Sequence, residues 1–215
     1  MSPRSPAGAS SAPRSRKGAQ TRARLLEAAK EVFETAGFLE ARITDIAEQA
    51  GLSHGSFYHY FDSKEQIFRE VAEVQEALLT LPADEPDGGD PRSLTEWERI
   101  HRANRLYLER YRDNARIMGV IEQVSRYDEP VKQARMRRQK HFADRAERAI
   151  RRLQDAGHAD PAIDPGIAAL ALGSMVARVA ELWLVEHWGT YDLDEVAEQL
   201  TRMWANAIGL REPSA

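Results

Sequence analysis

The amino-acid sequence predicts an all-α protein in which a small N-terminal three-helix domain precedes a larger C-terminal helical bundle, with about nine helices in total. Apolar residues recur at helical spacing along most of the 215 residues, and no run of strand-like alternation competes with them. Capping residues and helix breakers divide the chain into segments of helix length. Hydrophobic residues make up 42% and charged residues 30%, which is typical of a globular chain.

The N-terminal stretch is basic although the whole chain is not. The formal net charge is −4, so binding to nucleic acid requires a local basic patch. Residues 1–20 contain Arg4, Arg14, Arg16 and Lys17, have no acidic residue and are rich in Ser, Pro, Ala and Gly. We predict that they form a disordered basic arm, which either binds DNA phosphates or is a solvated tail.

The first helix is predicted to begin at Thr21 and to end at Gly37, a residue that suits a helix C-terminus. A short second helix follows and stops at Gly51. Ser53 caps a third helix, which we expect to continue to about Phe61.

The C-terminal part begins after residues 82–91, an acidic segment full of helix breakers that we predict to be a loop. Helix starts are then indicated by three pairs of residues: Thr95 with Glu98, Asp164 with Pro165, and Asp192 with Glu195. Residues 167–185 are apolar enough to suggest a membrane span, but Arg178 and Glu181 interrupt them. We therefore predict a buried helix there and no contact with a membrane.

Two short helices meet at Gly51, Leu52 and Ser53, which is the arrangement of a helix-turn-helix. Gly51 permits a left-handed turn, and Leu52 is expected to fill the space between the helices. Ser53 caps the second helix of this motif, which is the third predicted helix of the chain. It leaves amide groups directed outward, where a phosphate can bind.

The second helix of this motif is rich in polar and aromatic side chains. Phe57 and Phe61 share one face and are predicted to be core, whereas Tyr58 and His59 lie away from that face and are available to DNA. Small residues at its start allow approach to the major groove, where Ser56 and the histidines can bond base edges.

The next helix opens with Ser63 and Gln66, which form a capping box. Lys64 lies in its first turn. This position allows Lys64 to reach the DNA backbone together with the free amides of that turn.

This stretch resembles the DNA-binding domain of the TetR family of bacterial regulators. The resemblance covers roughly residues 21–71, and the recognition-helix pattern is matched at Gly51, Leu52, Ser53, Gly55, Ser56, Phe57, Tyr58, Tyr60, Phe61, Ser63, Lys64 and Glu65. It implies phosphate contacts by Ser53, Tyr58 and Lys64, and base contacts by His54, Ser56 and His59. We also expect DNA contacts at Arg42, Thr44, Gly55 and Tyr60.

Two of these positions leave alternatives open. Members of the family often have Thr where this chain has Arg42. In those proteins the Thr caps the second helix of the domain and contacts phosphate. Arg42 can still bind phosphate, and Thr44 can act as a cap instead. Tyr60 is as well suited to a structural role beside Phe61 as to a phosphate contact.

The middle helices supply side chains that suit an effector pocket. A sensor pocket is usually apolar with a few polar groups, although most such residues in a helical bundle are simply core. The predicted ligand-binding residues are Trp97, Tyr107, Tyr111, Met118, Phe142, Met175 and Trp183. Basic residues recur over 132–152, which favours a solvated helix face over a site for an acidic effector such as a coenzyme A ester.

The last two predicted helices are the most apolar pair, and in the resembled family they form a four-helix bundle between protomers. We therefore predict a homodimer whose interface includes Trp188, Leu200, Met203 and Trp204.

An enzyme is the rival class. Glu98 and His101 form one Glu-x-x-His motif, but a helical di-metal site needs this motif twice together with further glutamates. The chain has no cysteine, so a disulfide, a thiolate nucleophile and a cysteine metal site are excluded. We predict no catalytic residue, no metal and no cofactor.

The sequence thus predicts a cytoplasmic DNA-binding regulator, most simply a repressor that binds a palindromic operator as a homodimer and is released by a small, hydrophobic effector. The absence of cysteine fits a reducing compartment. An effector-independent DNA-binding protein is the remaining alternative. We place the helix-turn-helix domain at residues 21–68, the ligand-binding and dimerisation domain at 69–210, and a tail at 211–215.

Overall fold

A computed structural model describes residues 16–81 and 94–211 of the chain. These residues form nine α-helices and no strand, which confirms the predicted all-α fold. The helices are α1 (Arg16–Glu40), α2 (Ile43–Gln49), α3 (His54–Phe57), α4 (Lys64–Thr80), α5 (Glu96–Asp113), α6 (Ala115–Val124), α7 (Glu129–Asp155), α8 (Pro165–Leu184) and α9 (Leu193–Ala207). They form two compact units, divided between Val74 and Gln75, so α4 begins in the first unit and ends in the second.

The first unit is built around aromatic side chains. α1 packs on α2 and α2 packs on α3. Phe33, Phe57, Phe61 and Phe68 are almost fully buried, and the ring of Phe33 meets that of Phe68 edge-on at 4.9 Å between centroids. Each buried Phe contributes about 1.5–3 kcal/mol relative to an exposed one, so the small helices of this unit are stabilised mainly by this core.

α1 begins five residues earlier than Thr21, where the sequence predicted its start. Residues 16–20 of the predicted disordered arm are helical, because the hydroxyl of Thr21 donates to the carbonyl of Lys17 and this stretch contains good helix formers. Residues 1–15 of the arm lie outside the described residues, as do the predicted loop 82–91 and residues 212–215 of the predicted tail. Gly37 has φ of 72° and interrupts α1, which confirms that the regular helix stops at this residue.

In the second unit, α7 packs along α8 and α5 packs along α9, while α5 also contacts α6 and α8. Its core includes Leu108, Ile117, Met118, Ile121 and Ile150. The predicted caps at Thr95, Asp164 and Asp192 all accept hydrogen bonds from the first turns of their helices.

The helix predicted to be buried, α8, is buried on one face only. It is long and apolar enough to cross a membrane by length and composition, yet only 22% of its most apolar window is buried. Ala169, Leu172 and Val176 face the core, whereas Ile167 and Leu170 are 71% and 65% exposed. The prediction was therefore wrong for one side of α8, because no other part of the described chain covers it.

Candidate nucleic-acid interface and effector site

The turn between α2 and α3 has the geometry that the sequence predicts. Gly51 has φ of 65°, and the amide of Leu52 donates to the carbonyl of Ala47 at 2.8 Å. Ser53 is extended and its hydroxyl accepts from the amide of Ser56 at 3.3 Å. The predicted left-handed glycine and the predicted N-cap are confirmed.

The recognition helix is shorter than predicted. α3 ends at Phe57, and the chain reaches Phe61 through turns in which the amide of Tyr60 donates to the carbonyl of Phe57 at 2.9 Å. Phe57 and Phe61 are 0% and 1% exposed and hold both ends of this segment in the core. The prediction of a helix up to Phe61 was wrong because burial of these two rings, rather than helix periodicity, determines the backbone here.

Most of the residues of this segment that were predicted to contact DNA, whether at bases or at phosphates, are exposed. His54, Tyr58 and His59 are exposed, and the ring of Tyr58 meets the edge of His54 at 5.3 Å. Gly55 is exposed, with nothing within 4 Å of the position that a Cβ would occupy. The Ser56 hydroxyl lies 2.7 Å from that of Ser53, so the two hydroxyls share a hydrogen bond.

The start of α2 resolves one open alternative. Arg42 is exposed at the N-cap and makes no capping bond with its side chain. Thr44 lies inside the first turn and its hydroxyl donates to Asp45 Oδ1 at 3.2 Å, so Thr44 is not the cap. Tyr60 is half-buried, between the two roles considered for it.

Lys64, predicted to contact a phosphate, is bound within the protein. Its ammonium donates to the carbonyls of Phe38, Leu39 and Ala41 at 2.8, 3.0 and 2.9 Å. The same nitrogen lies 4.8 Å from the centroid of the Phe38 ring. An ammonium has three N–H donors, and all three are used on carbonyls at the end of α1 and just after it.

Two arginines of α1 are also bound inside the first unit. Arg24 donates to the carbonyl of Ala50 and packs against Gly51, where a Cβ would lie 3.1 Å from its Nη2 atom. Arg22 pairs with Glu70 and lies 4.8 Å from the centroid of the Phe61 ring. Sequence reasoning missed that these cations join α1 to α2 and to α4.

Three of the predicted effector residues form one aromatic group. Tyr107, Tyr111 and Phe142 belong together, because the Tyr107 ring lies 5.5 Å from Phe142 and 5.9 Å from Tyr111. Elsewhere, Trp97 stacks on His101 at 5.1 Å and Trp183 meets the ring of Tyr191 at 6.2 Å. Met118 is a core residue and Met175 is half-buried.

A buried ion pair joins α4 to α7 in the second unit. Arg138 Nε lies 3.0 Å from Glu76 Oε2, and both side chains are less than 5% exposed. Burial raises the pKa of the Tyr107 hydroxyl, while Arg138 lowers it and Glu76 raises it further, so Tyr107 lies in the field of this pair. Sequence reasoning missed Arg138 because it stands in a basic run, although Val131, Ala134 and Arg138 share one helical stripe.

The rest of the basic run of α7 is largely the predicted solvated face. Lys132, Lys140 and Arg151 are exposed and pair with Glu129, Asp144 and Glu147 of the same helix. The pairing accounts for these cations without an acidic ligand.

The predicted interface residues divide into two groups. Trp188 and Met203 are 72% and 51% exposed, whereas Leu200 and Trp204 are buried by their own chain. Trp188 and Met203 are therefore accessible on the surface, whereas Leu200 and Trp204 belong to the core of their own chain.

Glu98, of the Glu98 and His101 motif, has a structural role at the start of α5. Glu98 accepts a hydrogen bond from the amide of Thr95 at 2.7 Å, which lowers the pKa of its carboxyl group. Among the described residues, no group of three or more His, Asp or Glu side chains is placed to hold a metal ion.

A small head with an exposed helix-turn-helix and a separate larger helical unit define the class of helix-turn-helix regulators. Residues 25–71 match the family model of bacterial regulatory proteins of the tetR family, and residues 93–208 match that of the tetracyclin repressor-like C-terminal domain. The chain belongs to the TetR family, which is a family of transcriptional regulators and not of enzymes.

Individual proteins agree with this assignment. The chain is 47% identical over 55 residues to the regulator YdgC of Bacillus subtilis, which is 26% of this chain and 28% of YdgC. The first curated relatives match over only 25–46% of their own length. The regulator TtgR of Pseudomonas putida is 25% identical over 77% of this chain and 81% of its own. NalD, the secondary repressor of the MexAB-OprM multidrug efflux pump in Pseudomonas aeruginosa, superimposes with a TM-score of 0.63 at 25% identity, over 90% of this chain and 98% of NalD.

Proposed function

We propose that the protein is a transcriptional repressor that binds a palindromic DNA operator as a homodimer and releases it when a small, largely apolar effector binds the second unit. The observation that carries the proposal is the exposed surface of His54, Tyr58 and His59, which is held in place by the buried rings of Phe57 and Phe61. Such a surface has no role in the core, and it suits the edges of bases and the DNA backbone.

The contacts to DNA are proposed in two groups. His54, Ser56 and His59 face bases, with Gly55 allowing the backbone to approach the groove. The phosphates are bound by Arg42, Ser53 and Tyr58, with Thr44 and Tyr60 at the edges of the surface. Lys64 supports these groups from inside, because its donors are already used within the protein.

The homodimer is proposed to form through the exposed face of α8 together with Trp188 and Met203. Ile167 and Leu170 add large apolar side chains to that face. Exposed apolar patches of this kind mark interaction sites in soluble proteins. A two-fold dimer would place two recognition segments in successive major grooves, about 34 Å apart.

Control by an effector is proposed from the architecture of the family and from similar proteins such as NalD, which is a repressor of a multidrug efflux pump. The effector acts only if its affinity differs between the DNA-binding and the released conformation. α4 continues from the first unit into the second and is the element through which this difference is transmitted. We propose a cytoplasmic location, because the operator is there.

The test is a selection of bound duplexes from a random DNA pool with the full-length protein. We expect an enriched palindrome with half-sites one helical turn apart, and loss of binding when apolar metabolite fractions are added. Enrichment of no sequence would contradict the proposal. An enriched palindrome that no fraction releases would favour an effector-independent DNA-binding protein.

A further inference from the structure

We propose that the effector is an uncharged, largely apolar molecule that carries a hydrogen-bond acceptor, and that this acceptor is bound by Arg138 and Tyr107. The inference rests on the proposed function, because it names the chemical class of the effector. It starts from two of the buried polar atoms in the second unit that have no hydrogen-bond partner among the described residues, the two that can donate: Nη1 of Arg138 and the hydroxyl of Tyr107.

Unpaired polar groups in the interior are costly and call for a partner. Arg138 is 4% and Tyr107 is 7% exposed, so water does not reach them freely. Guanidinium nitrogens only donate, and a hydroxyl can donate as well. A ligand atom that satisfies both must therefore be an acceptor, such as a carbonyl oxygen.

The charges around this point favour a neutral ligand. The guanidinium of Arg138 is already paired with Glu76 at 3.0 Å. The neighbouring Arg135 is paired with Glu122, and Glu181 is paired with Arg178. A buried carboxylate or ammonium would bring in a charge that no remaining opposite charge compensates, which is strongly unfavourable in an apolar interior.

The surroundings also define the rest of the molecule. Phe142 meets the Tyr107 ring edge-on, and Tyr111 lies on the next turn of α5. These rings supply an apolar, aromatic wall beside the two donors, as in pockets where a few polar groups fix the orientation of an apolar ligand.

The same site has a direct connection to α4, because Glu76 lies on α4 and its ion pair with Arg138 joins α4 to α7. A ligand that accepts a hydrogen bond from Nη1 of Arg138 leaves the pair between Nε and Glu76 in place. Binding would thereby move Arg138 together with Glu76 and shift this end of α4 relative to α7, which is the regulatory step that the proposed function requires.

The experiment uses the full-length protein and four probes that share a naphthalene ring: 2-acetonaphthone, 2-isopropenylnaphthalene, 2-naphthoate and 2-naphthylmethylammonium. They present a carbonyl, a hydrocarbon of the same shape, an anion and a cation. We expect 2-acetonaphthone to raise Tm and to bind most tightly. Tyr107→Phe should weaken that binding about three- to tenfold, because one hydrogen bond is lost, while the variant's Tm without ligand should not fall because the lost hydroxyl was unpaired.

The matched control is Tyr127→Phe, which removes a hydroxyl from an exposed tyrosine outside this site and should leave the affinity for 2-acetonaphthone within about twofold. The inference is overturned if none of the probes binds, if a charged probe or the hydrocarbon binds as tightly as the ketone, or if Tyr107→Phe binds the ketone normally. Binding of the selected DNA without any probe is measured in parallel. Intact DNA binding in those cases leaves the proposed function standing, whereas absent DNA binding contradicts the proposed function itself.

Discussion

At the scale of single residues, cations of the first unit bind backbone carbonyls of the protein itself. Lys64 donates to three carbonyls between Phe38 and Ala41, and Arg24 donates to the carbonyl of Ala50. These carbonyls lie at the ends of α1 and α2, where helices leave acceptors unpaired. The side chains thus fix the angles between the helices that present the recognition surface.

We predict that Lys64→Met lowers the free energy of unfolding by about 2 kcal/mol, because a charged donor to several carbonyls is lost. DNA affinity should fall through misplacement of α3, yet the slope of the logarithm of the DNA-binding constant against the logarithm of salt concentration should stay unchanged.

Arg42→Gln is the matched variant, since Arg42 is exposed and its side chain makes no capping bond. Its salt slope should fall by about one, as expected for a lost phosphate contact. Denaturant unfolding and fluorescence anisotropy over a salt series measure both effects; a reduced slope in Lys64→Met would restore the phosphate role.

At the scale of helices, the sequence predicts best what neighbouring residues determine. Thr95, Asp164 and Asp192 cap their helices as expected, because a cap needs only residues within one turn. The end of α3 and the placement of Lys64 depend on contacts with residues distant in sequence, and periodicity carries no signal for them. Arg138 is the intermediate case: it lies on one helical stripe with Val131 and Ala134, a signal that sequence reasoning overlooked, but its partner Glu76 lies on another helix.

The capping box of α5 gives a prediction that depends on pH. Hydrogen bonds from Thr95 lower the pKa of Glu98, so the box stabilises the protein above the ordinary glutamate pKa and this stability is lost as pH falls through the lowered pKa. Thr95→Ala removes the side-chain hydrogen bond but keeps the stronger one from the backbone amide, so the Glu98 pKa should rise only part of the way to its ordinary value, as followed by NMR titration. The lost cap should cost about 1 kcal/mol at neutral pH. The difference between variant and wild type should shrink in acid. A Glu98 pKa that does not move in the variant would contradict this account.

Glycines in two helices of the second unit should respond oppositely to alanine. A Cβ at Gly119 would lie 2.9 Å from Val185 Cγ1, so Gly119→Ala must displace the Val185 side chain at the C-cap of α8 and should destabilise the protein by about 1–3 kcal/mol. A Cβ at Gly173 meets nothing within 4 Å, so Gly173→Ala should stabilise α8 by about 0.5–1 kcal/mol through helix propensity. Urea unfolding measures both. Equal effects of the two substitutions would show that packing between α6 and α8 is not the cause.

At the scale of the whole molecule, the exposed face of α8 is the feature that a single chain leaves unexplained. The helix is mostly apolar, yet Ile167 and Leu170 are largely exposed while the opposite side forms core. An unpaired apolar surface of this kind lowers solubility unless another molecule covers it. A second copy of the chain is the proposed cover, because a repressor that reads a palindrome needs two recognition segments related by a two-fold axis.

The double variant Ile167→Glu and Leu170→Glu should therefore convert the dimer to a folded monomer of 24.3 kDa in sedimentation equilibrium. In a two-fold interface each new carboxylate is buried close to those of the partner, which is strongly unfavourable. Because neither side chain belongs to the core of its own chain, the helical content should not change in circular dichroism.

The controls are Met136→Glu and Tyr127→Glu, at other exposed apolar positions, and these variants should remain dimeric. The monomer should lose most of its affinity for the palindrome. It should bind the full palindrome no more tightly than it binds an isolated half-site. A double variant that stays dimeric would place the interface elsewhere on the molecule.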